Sequence, residues 1–174
     1  WVDMKATGVD VLISAPQKGW SASPCAGLVM LSERAVARLE TTQSDSFAID
    51  LKKWRQIMAA SEIGGPAYHA TMPTDGLRTF RDTVSETRDY GFEKLGDAQW
   101  ALGHAVRALL AEKGVQSVAA DEFGAPGVVV SYTTDPAIQN GSKFAAKGRQ
   151  IAAGVPLQCD EAADFRTFRG GVLG

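Results

Sequence analysis

A long helical pattern in the middle of the chain most constrains its fold. Apolar residues recur every three or four positions on both sides of Gly91, which is the spacing of one face of an α-helix. They are Leu77, Phe80, Val84, Leu95, Leu102, Val106, Leu109 and Leu110. The pattern begins near Thr74 and stops at Gly114, a residue type favoured at helix C-termini. The sequence therefore predicts a long helix that is interrupted at Gly91.

Shorter elements are predicted on both sides of this helix. Before it, apolar runs and the capping residues Ser32 and Asp50 predict two strands and two helices, over 9–13, 26–31, 32–40 and onward from residue 50. After it, the pattern predicts strands over 115–119, 127–133 and 163–168 and a helix over 136–152. The fold class is therefore α/β. A Gly- and Pro-containing loop at 61–73 marks the expected domain boundary.

Composition excludes several classes of protein. Of the 174 residues, 45% are apolar and 22% are charged, and the net charge is −2, without the basic excess of a nucleic-acid binder. No window approaches the roughly 18 uninterrupted apolar residues of a membrane helix, so we expect a soluble protein. Cys25 and Cys159 lie far apart, which favours a reducing, cytoplasmic location. Two histidines and two cysteines also argue against a zinc site.

Lys18 is the candidate that remains after common catalytic motifs are eliminated. The chain contains no G-x-G-x-x-G, no G-x-x-x-x-G-K-[ST] and no G-x-S-x-G. Lys18 directly follows a predicted buried strand, where a partly desolvated amine could perform Schiff-base chemistry. On these residues alone, however, a solvated surface lysine is the commoner case.

Three segments, in this order, resemble a known family. Residues 8–20 read G-V-D-V-L-I-S-A-P-Q-K-G-W and lead to L-S-E-R-A at 31–35; residues 68–73 read Y-H-A-T-M-P, and residues 168–174 read F-R-G-G-V-L-G. These resemble the lysine segment, the Y-H-x-T-x-P motif and the terminal F-R-I-G-h-h-G motif of class V pyridoxal-phosphate aminotransferases, the alanine/serine–glyoxylate group. The resemblance covers essentially the whole chain.

The resemblance implies a fold type I transferase and a division of the chain. Residues 1–65 would be the remainder of the large cofactor-binding domain, and residues 66–174 the long connecting helix and a small C-terminal α/β domain, incomplete at its end. The family's N-terminal half supplies a phosphate loop, a ring-stacking aromatic and an aspartate on the pyridinium nitrogen, and none of these lies in this sequence. We therefore expect the chain to be the C-terminal portion of a longer enzyme.

The resemblance also implies the roles of five residues. Lys18 would form the aldimine with pyridoxal 5′-phosphate and shuttle the proton between substrate and cofactor. Gln17 would contact the cofactor phosphate. Tyr68 and Thr71 would reach the phosphate of the neighbouring subunit's cofactor, which implies a homodimer with shared active sites. Arg169 would bind the substrate α-carboxylate.

Other residues near these five could compete for the same roles. Arg166 competes with Arg169, but an odd spacing in a strand puts the two on opposite faces, and the F-R-G-G match selects Arg169. His104 is expected to be a packed or surface histidine, and His69 receives no role. The chain departs from the family at three positions, where Pro16, Cys25 and Gly170 stand for the usual Ser, Gly and Ile.

The implied reaction is a ping-pong transamination between a small amino acid, alanine or serine, and a 2-oxo acid such as glyoxylate. Two alternatives stay open at this point. The chain could be a non-catalytic fragment or homologue that acts only in packing and dimerisation. It could also use the same cofactor for desulfurase or kynureninase-like chemistry, although Gln17 stands where desulfurases carry a histidine before the lysine.

Overall fold

Helices and strands follow one another along most of residues 2–172, the part of the chain that the computed structural model describes. The helices are α1 (Met4–Thr7), α2 (Glu33–Glu40), α3 (Leu51–Glu62), α4 (Thr74–Tyr90), α5 (Phe92–Glu112), α6 (Pro136–Gln139) and α7 (Ser142–Ala145). The strands are β1 (Val11–Ser14), β2 (Leu28–Leu31), β3 (Val128–Tyr132), β4 (Ala152–Ala153) and β5 (Thr167–Gly171). The α/β class expected from the sequence is therefore confirmed. None of the helices in this range is both long and apolar enough to span a membrane.

The chain forms two compact units, Trp1–Val84 and Ser85–Gly174. The domain boundary that the sequence places after residue 65 stays a prediction. In the first unit, β1 and β2 form an antiparallel pair in which Val11 lies opposite Leu31 and Ser14 opposite Leu28. A connection of residues 15–27 joins the two strands and carries Lys18.

Capping side chains begin the two helices that follow β2. The Ser32 side chain accepts a hydrogen bond from the Ala35 amide at the start of α2, at 3.1 Å. The Asp50 side chain accepts one from the Lys53 amide at the start of α3, at 3.0 Å. Both caps occupy backbone amides that have no partner inside the helix, and both helix starts predicted from the sequence are confirmed.

The long helical pattern forms two helices. Gly91 lies between α4 and α5 with φ 108°, a conformation that a residue with a Cβ rarely adopts. α5 ends at Glu112, and Gly114 follows with φ 75°. The predicted interruption and stop are both confirmed.

The second unit is built on a three-stranded antiparallel sheet with the order β3-β5-β4. Val129, Ser131 and Thr167 of these strands are buried, at 3%, 1% and 1% exposure. β5 is thus the central strand, which fixes the position of the residues that it carries.

Three sequence predictions in this unit differ from the structure. The helix predicted over 136–152 is wrong: α6 and α7 are separated at Gly141, whose φ of 82° interrupts the helix. The segment 115–119 forms only an isolated bridge, between Ser117 and Ser131, in place of a strand. The last strand is β5 at Thr167–Gly171, which begins later than the predicted 163–168.

Candidate active site

Lys18 lies exposed in the loop between β1 and β2, between two residues that are more buried. Pro16 is fully buried and Trp20 is half-buried, whereas Gln17 and Lys18 are exposed. The Lys18 carbonyl accepts a hydrogen bond from the Ser21 amide at 2.9 Å, and the Pro16 carbonyl accepts one from the Ala22 amide at 3.0 Å. These bonds fold the backbone around the exposed Lys18 into a tight turn.

The amine of Lys18 has no hydrogen-bond or ion-pair partner among residues 2–172. Gln17 is its direct neighbour in the same turn. The two residues to which the resemblance assigns the cofactor's lysine bond and its phosphate are therefore both exposed in this turn.

The Asp10 side chain, just before β1, bonds to two residues that follow β2. Its carboxylate accepts a hydrogen bond from Ser32 Oγ at 2.6 Å and bonds from Arg34 Nε at 3.0 and 2.9 Å, and Arg34 Nη2 also donates to it. The bonds from Arg34, and then from Ser32, hold the pKa of the Asp10 carboxyl below its ordinary value. The matched G-V-D and S-E-R-A segments thus bind each other at the end of the β1–β2 pair that lies away from the Lys18 loop.

Tyr68 and Thr71 are brought together by the loop that precedes α4. The Tyr68 hydroxyl lies 3.0 Å from Thr71 Oγ1, and Tyr68 is 77% exposed. Two hydroxyl groups are therefore presented side by side on the surface of the first unit. A hydroxyl pair of this kind can donate to a phosphate oxygen.

His69 anchors this loop, a role that the sequence reasoning missed. Its Nε2 lies 2.9 Å from the Phe47 carbonyl oxygen, which can only accept, so this nitrogen donates. Its ring packs at 4.2 Å from the Phe47 ring and at 5.0 Å from the Trp54 ring, measured between centroids. The only available sequence signal was the position of His69 inside a matched motif.

Arg169 lies on the central strand β5, opposite Val130 of β3 and Ala152 of β4. Its guanidinium is exposed and has no hydrogen-bond or ion-pair partner within residues 2–172. Arg166 precedes the strand, is half-buried and donates to the Asp164 carbonyl at 3.2 Å. The last two residues of the matched F-R-G-G-V-L-G segment, 173 and 174, lie outside the described residues. Arg169 belongs to the second unit and the other four candidates to the first.

Comparisons with known proteins identify the fold. The solved structure of an alanine–glyoxylate aminotransferase from Nostoc sp. matches with a TM-score of 0.83 at 18% identity, over 98% of this chain and 44% of that one. Further solved aminotransferases match over the whole chain. The chain has an aminotransferase fold. The resemblance and the fold class inferred from the sequence are confirmed.

Two curated relatives are also similar in sequence to this aminotransferase-fold chain. A soluble hydrogenase 42 kDa subunit from Anabaena cylindrica is 26% identical over 132 residues, which are 76% of this chain and 33% of the relative. Alanine–glyoxylate aminotransferase from Oryctolagus cuniculus is 28% identical over 116 residues, which are 65% of this chain and 29% of the relative. No family model matches the chain. The chain spans about a third of the length of these relatives.

The donor set of this aminotransferase-fold chain fits pyridoxal phosphate, which carries an aldehyde and a phosphate. A primary amine that is exposed and unpaired, as in Lys18, can condense with an aldehyde. The amide of Gln17 and the hydroxyls of Tyr68 and Thr71 are neutral donors of the kind that bind a phosphate. The enzyme class and cofactor implied by the sequence therefore agree with both the comparisons and the residues present.

Proposed function

We propose that the chain forms part of a pyridoxal-phosphate aminotransferase that moves an amino group between a small amino acid and a 2-oxo acid. The main support for this proposal is Lys18. Its amine is exposed and has no partner within residues 2–172, and it lies in a turn closed by backbone hydrogen bonds, in a chain with an aminotransferase fold. Alanine or serine as donor and glyoxylate as acceptor are the proposed substrates. They are supported by the sequence resemblance and by the names of the similar proteins.

When it is bound, pyridoxal phosphate supplies an electron sink for the charge left at the substrate Cα once its proton is removed. Lys18 Nζ would hold the cofactor through its aldehyde carbon. When it is free, the same Nζ would take the proton from the substrate Cα and later donate it. Lys18 thus serves as both covalent anchor and base, as its position at an exposed turn permits.

The other candidates bind and orient. Gln17, next to Lys18, donates its side-chain amide to the phosphate. Arg169 presents a planar guanidinium that can donate two parallel hydrogen bonds to the two oxygens of a substrate carboxylate. Because Arg169 has no partner within residues 2–172, its donors are available for such a ligand.

The first experiment is trapping of the cofactor on the protein. Pyridoxal phosphate is added, the absorbance spectrum is recorded, borohydride is added, and labelled peptides are identified by mass. A visible band that bleaches, with one cofactor mass on Lys18, supports the proposal. Lys18→Ala should lose the band, whereas Lys5→Ala, a change at an exposed lysine of α1, should keep it. A band that survives in Lys18→Ala would refute the assignment.

Arg169 is tested separately by substrate binding. Arg169→Ala should raise KM for carboxylate substrates on the order of 100-fold, because two charge-assisted hydrogen bonds are lost, about 3 kcal/mol together. Arg166→Ala is the matched control, since that side chain is already bonded to Asp164. An increase in KM with Arg166→Ala and none with Arg169→Ala would move the carboxylate site to Arg166.

We also propose a homodimer in which Tyr68 and Thr71 serve the partner's cofactor, supported by their exposed, paired hydroxyls. Mixing inactive Lys18→Ala chains with inactive Tyr68→Phe chains should restore part of the activity, because a mixed dimer holds one complete site. No recovery after exchange of subunits, verified by mass, would contradict shared sites.

A cytoplasmic location is proposed as well, supported by the free thiols of Cys25 and Cys159. It is tested by fractionation.

Product analysis separates the remaining possibilities. Formation of an amino acid from glyoxylate with consumption of alanine or serine supports transamination. Release of sulfur or of a side-chain fragment would instead support desulfurase or kynureninase-like chemistry. Protein that stays colourless with the cofactor would support a role in packing and dimerisation alone.

A further inference from the structure

The loop that carries Lys18 has no regular secondary structure, so tertiary contacts must fix its conformation. Residues 15–27 contain no strand or helix, and only a few internal backbone hydrogen bonds close their turns. The two ends are held at β1 and β2. The contacts made by the middle of the loop therefore determine the position of the Lys18 amine.

Two residues of the loop lie against one face of α4. The Trp20 ring meets the Phe80 ring edge-on, with centroids 5.9 Å apart and an interplanar angle of 82°. Cys25 lies against Gly76. Gly76 and Phe80 are four residues apart on the helix and therefore lie on the same face, one turn from each other. We name this the Gly76–Phe80 face.

The contact at Gly76 leaves no room for a side chain. A Cβ built on Gly76 would lie 2.6 Å from the Cβ of Cys25 and 3.4 Å from its Sγ. Because both clashing atoms are Cβ atoms, rotation about a side-chain bond cannot relieve the clash. Any other residue at 76 must push the loop away from α4. Phe80 lies one turn further along the helix, so the displacement would also reach its contact with Trp20.

We propose that Gly76 is a positioning residue for Lys18. The Gly76–Phe80 face receives Cys25 and Trp20, and Trp20 stands two residues after Lys18. With Pro16 buried two residues before it, the lysine is held between two fixed points of the same turn. The inference rests on the proposed function only for what Lys18 does, since the geometry of the turn stands without it.

Gly76→Ala tests this proposal with two readouts, neither of which is activity. Hydrogen exchange of the Ser21 and Ala22 amides reports on the turn, because these amides bond to the Lys18 and Pro16 carbonyls. Their exchange should become on the order of tenfold faster. The share of borohydride-trapped pyridoxal phosphate that is found on Lys18, relative to the other lysines, should fall roughly tenfold.

A second change in the same chain should reverse both effects. Cys25→Gly removes the atom that a residue at 76 would strike, so Gly76→Ala with Cys25→Gly should recover the exchange rates and the labelling of Lys18. Gly96→Ala is the matched control, a helical glycine with nothing within 4 Å of its added Cβ. It should leave both readouts unchanged. Amides of β2 provide the internal reference for exchange.

The outcomes separate this inference from the proposed function. Faster exchange with lost labelling in Gly76→Ala, both rescued by Cys25→Gly, supports it. Unchanged exchange, or unchanged labelling despite faster exchange, overturns it. If the unchanged protein itself labels no lysine selectively, the proposed function fails, and the exchange result alone decides whether Gly76 holds the turn. If Gly76→Ala does not fold, Phe80→Leu decides, since it should loosen the same two amides.

Discussion

Replacing Gly103 with alanine should destabilise the second compact unit, although alanine favours helix. Gly103 lies buried in the middle of α5. A Cβ at this position would lie 2.7 Å from the Pro126 carbonyl oxygen and 3.1 Å from Pro126 Cα. These are backbone atoms, so no side-chain rotation can relieve the clash. The helix and the segment before β3 must separate instead.

The magnitude follows from the hydrogen bonds beside the clash. Restoring an ordinary contact of 3.4 Å from 2.7 Å requires a movement of 0.7 Å. One turn away, Gln99 Nε2 donates to the Pro126 carbonyl at 3.0 Å and, on the other side, Arg107 Nη2 donates to the Ala125 carbonyl at 2.6 Å. A movement of this size would weaken both bonds.

The contributions can be added approximately. Overpacking costs about 1–3 kcal/mol, and weakening the two hydrogen bonds without breaking them costs about 1 kcal/mol in all. The higher helix propensity of alanine raises the free energy of unfolding by about 1 kcal/mol. The expected loss in the free energy of unfolding is therefore about 1–3 kcal/mol. Gly96→Ala on the same helix meets nothing within 4 Å and should instead gain about 0.5–1 kcal/mol.

The assay is urea unfolding of both variants and of the unchanged chain, followed by far-ultraviolet circular dichroism. Because helix propensity is common to the two substitutions, their difference of about 2–4 kcal/mol isolates the contact with Pro126. Equal stabilisation by both substitutions would refute the reasoning, since it would mean that α5 does not approach Pro126 this closely.

The remaining predictions concern polar side chains. Thr167→Val should raise the free energy of unfolding by about 1–3 kcal/mol in urea titrations, because the buried Thr167 hydroxyl has no partner within residues 2–172. Arg107→Met should lower it by about 3 kcal/mol in the same assay, because Arg107 Nη2 donates to two backbone carbonyls. Asp10→Asn should destabilise the first unit at neutral pH. Since the pKa of Asp10 is lowered in the folded protein, its contribution is complete above the ordinary carboxyl pKa and is lost as the pH falls through the lowered value. The difference in stability between the two proteins should therefore shrink as the pH falls below about 4, and a constant difference would contradict the assignment to Asp10.

Local signals in the sequence predicted the ends of several helices. Ser32 and Asp50 each bind an amide three positions ahead, and their caps follow from residue type alone. Gly91 and Gly114 end helices because their backbone conformations exclude other residues, again a local property. The sequence reasoning succeeded where the determining contact lies within one turn of the chain.

The wrong helix over 136–152 shows the opposite case. Its larger apolar residues, Ile138, Phe144 and Ile151, are half-buried and lie on separate short segments, and the Phe144 ring lies 6.0 Å from the Phe168 ring, measured between centroids. Gly141 and Gly148 both lie inside the predicted span with φ of 82° and 68°. An isolated glycine is tolerated inside a helix, so the sequence alone did not show that the helix stops at Gly141.

The candidate site could be predicted only through the family resemblance. Lysine and arginine exposed on a surface are ordinary, and nothing in the spacing of Lys18 or Arg169 distinguishes them from solvated charges. The packing that holds Lys18 was also invisible, because Gly76 and Cys25 are far apart in sequence. Neither a glycine in a helix nor a cysteine in a loop indicates a contact with the other.

The matched motif residues divide into two groups according to what their side chains bond. One group bonds within the fold and closes the loops, and its members are Asp10, Ser32, Arg34 and His69. The other group is exposed, and within residues 2–172 its side chains bond to nothing or only to another member. Its members are Gln17, Lys18, Tyr68, Thr71 and Arg169. Exposed polar side chains need no partner for stability, so their presence in the motifs is better explained by a ligand than by folding. Substitutions in the first group should therefore lower the free energy of unfolding. Substitutions in the second group should weaken cofactor or substrate binding at nearly unchanged stability.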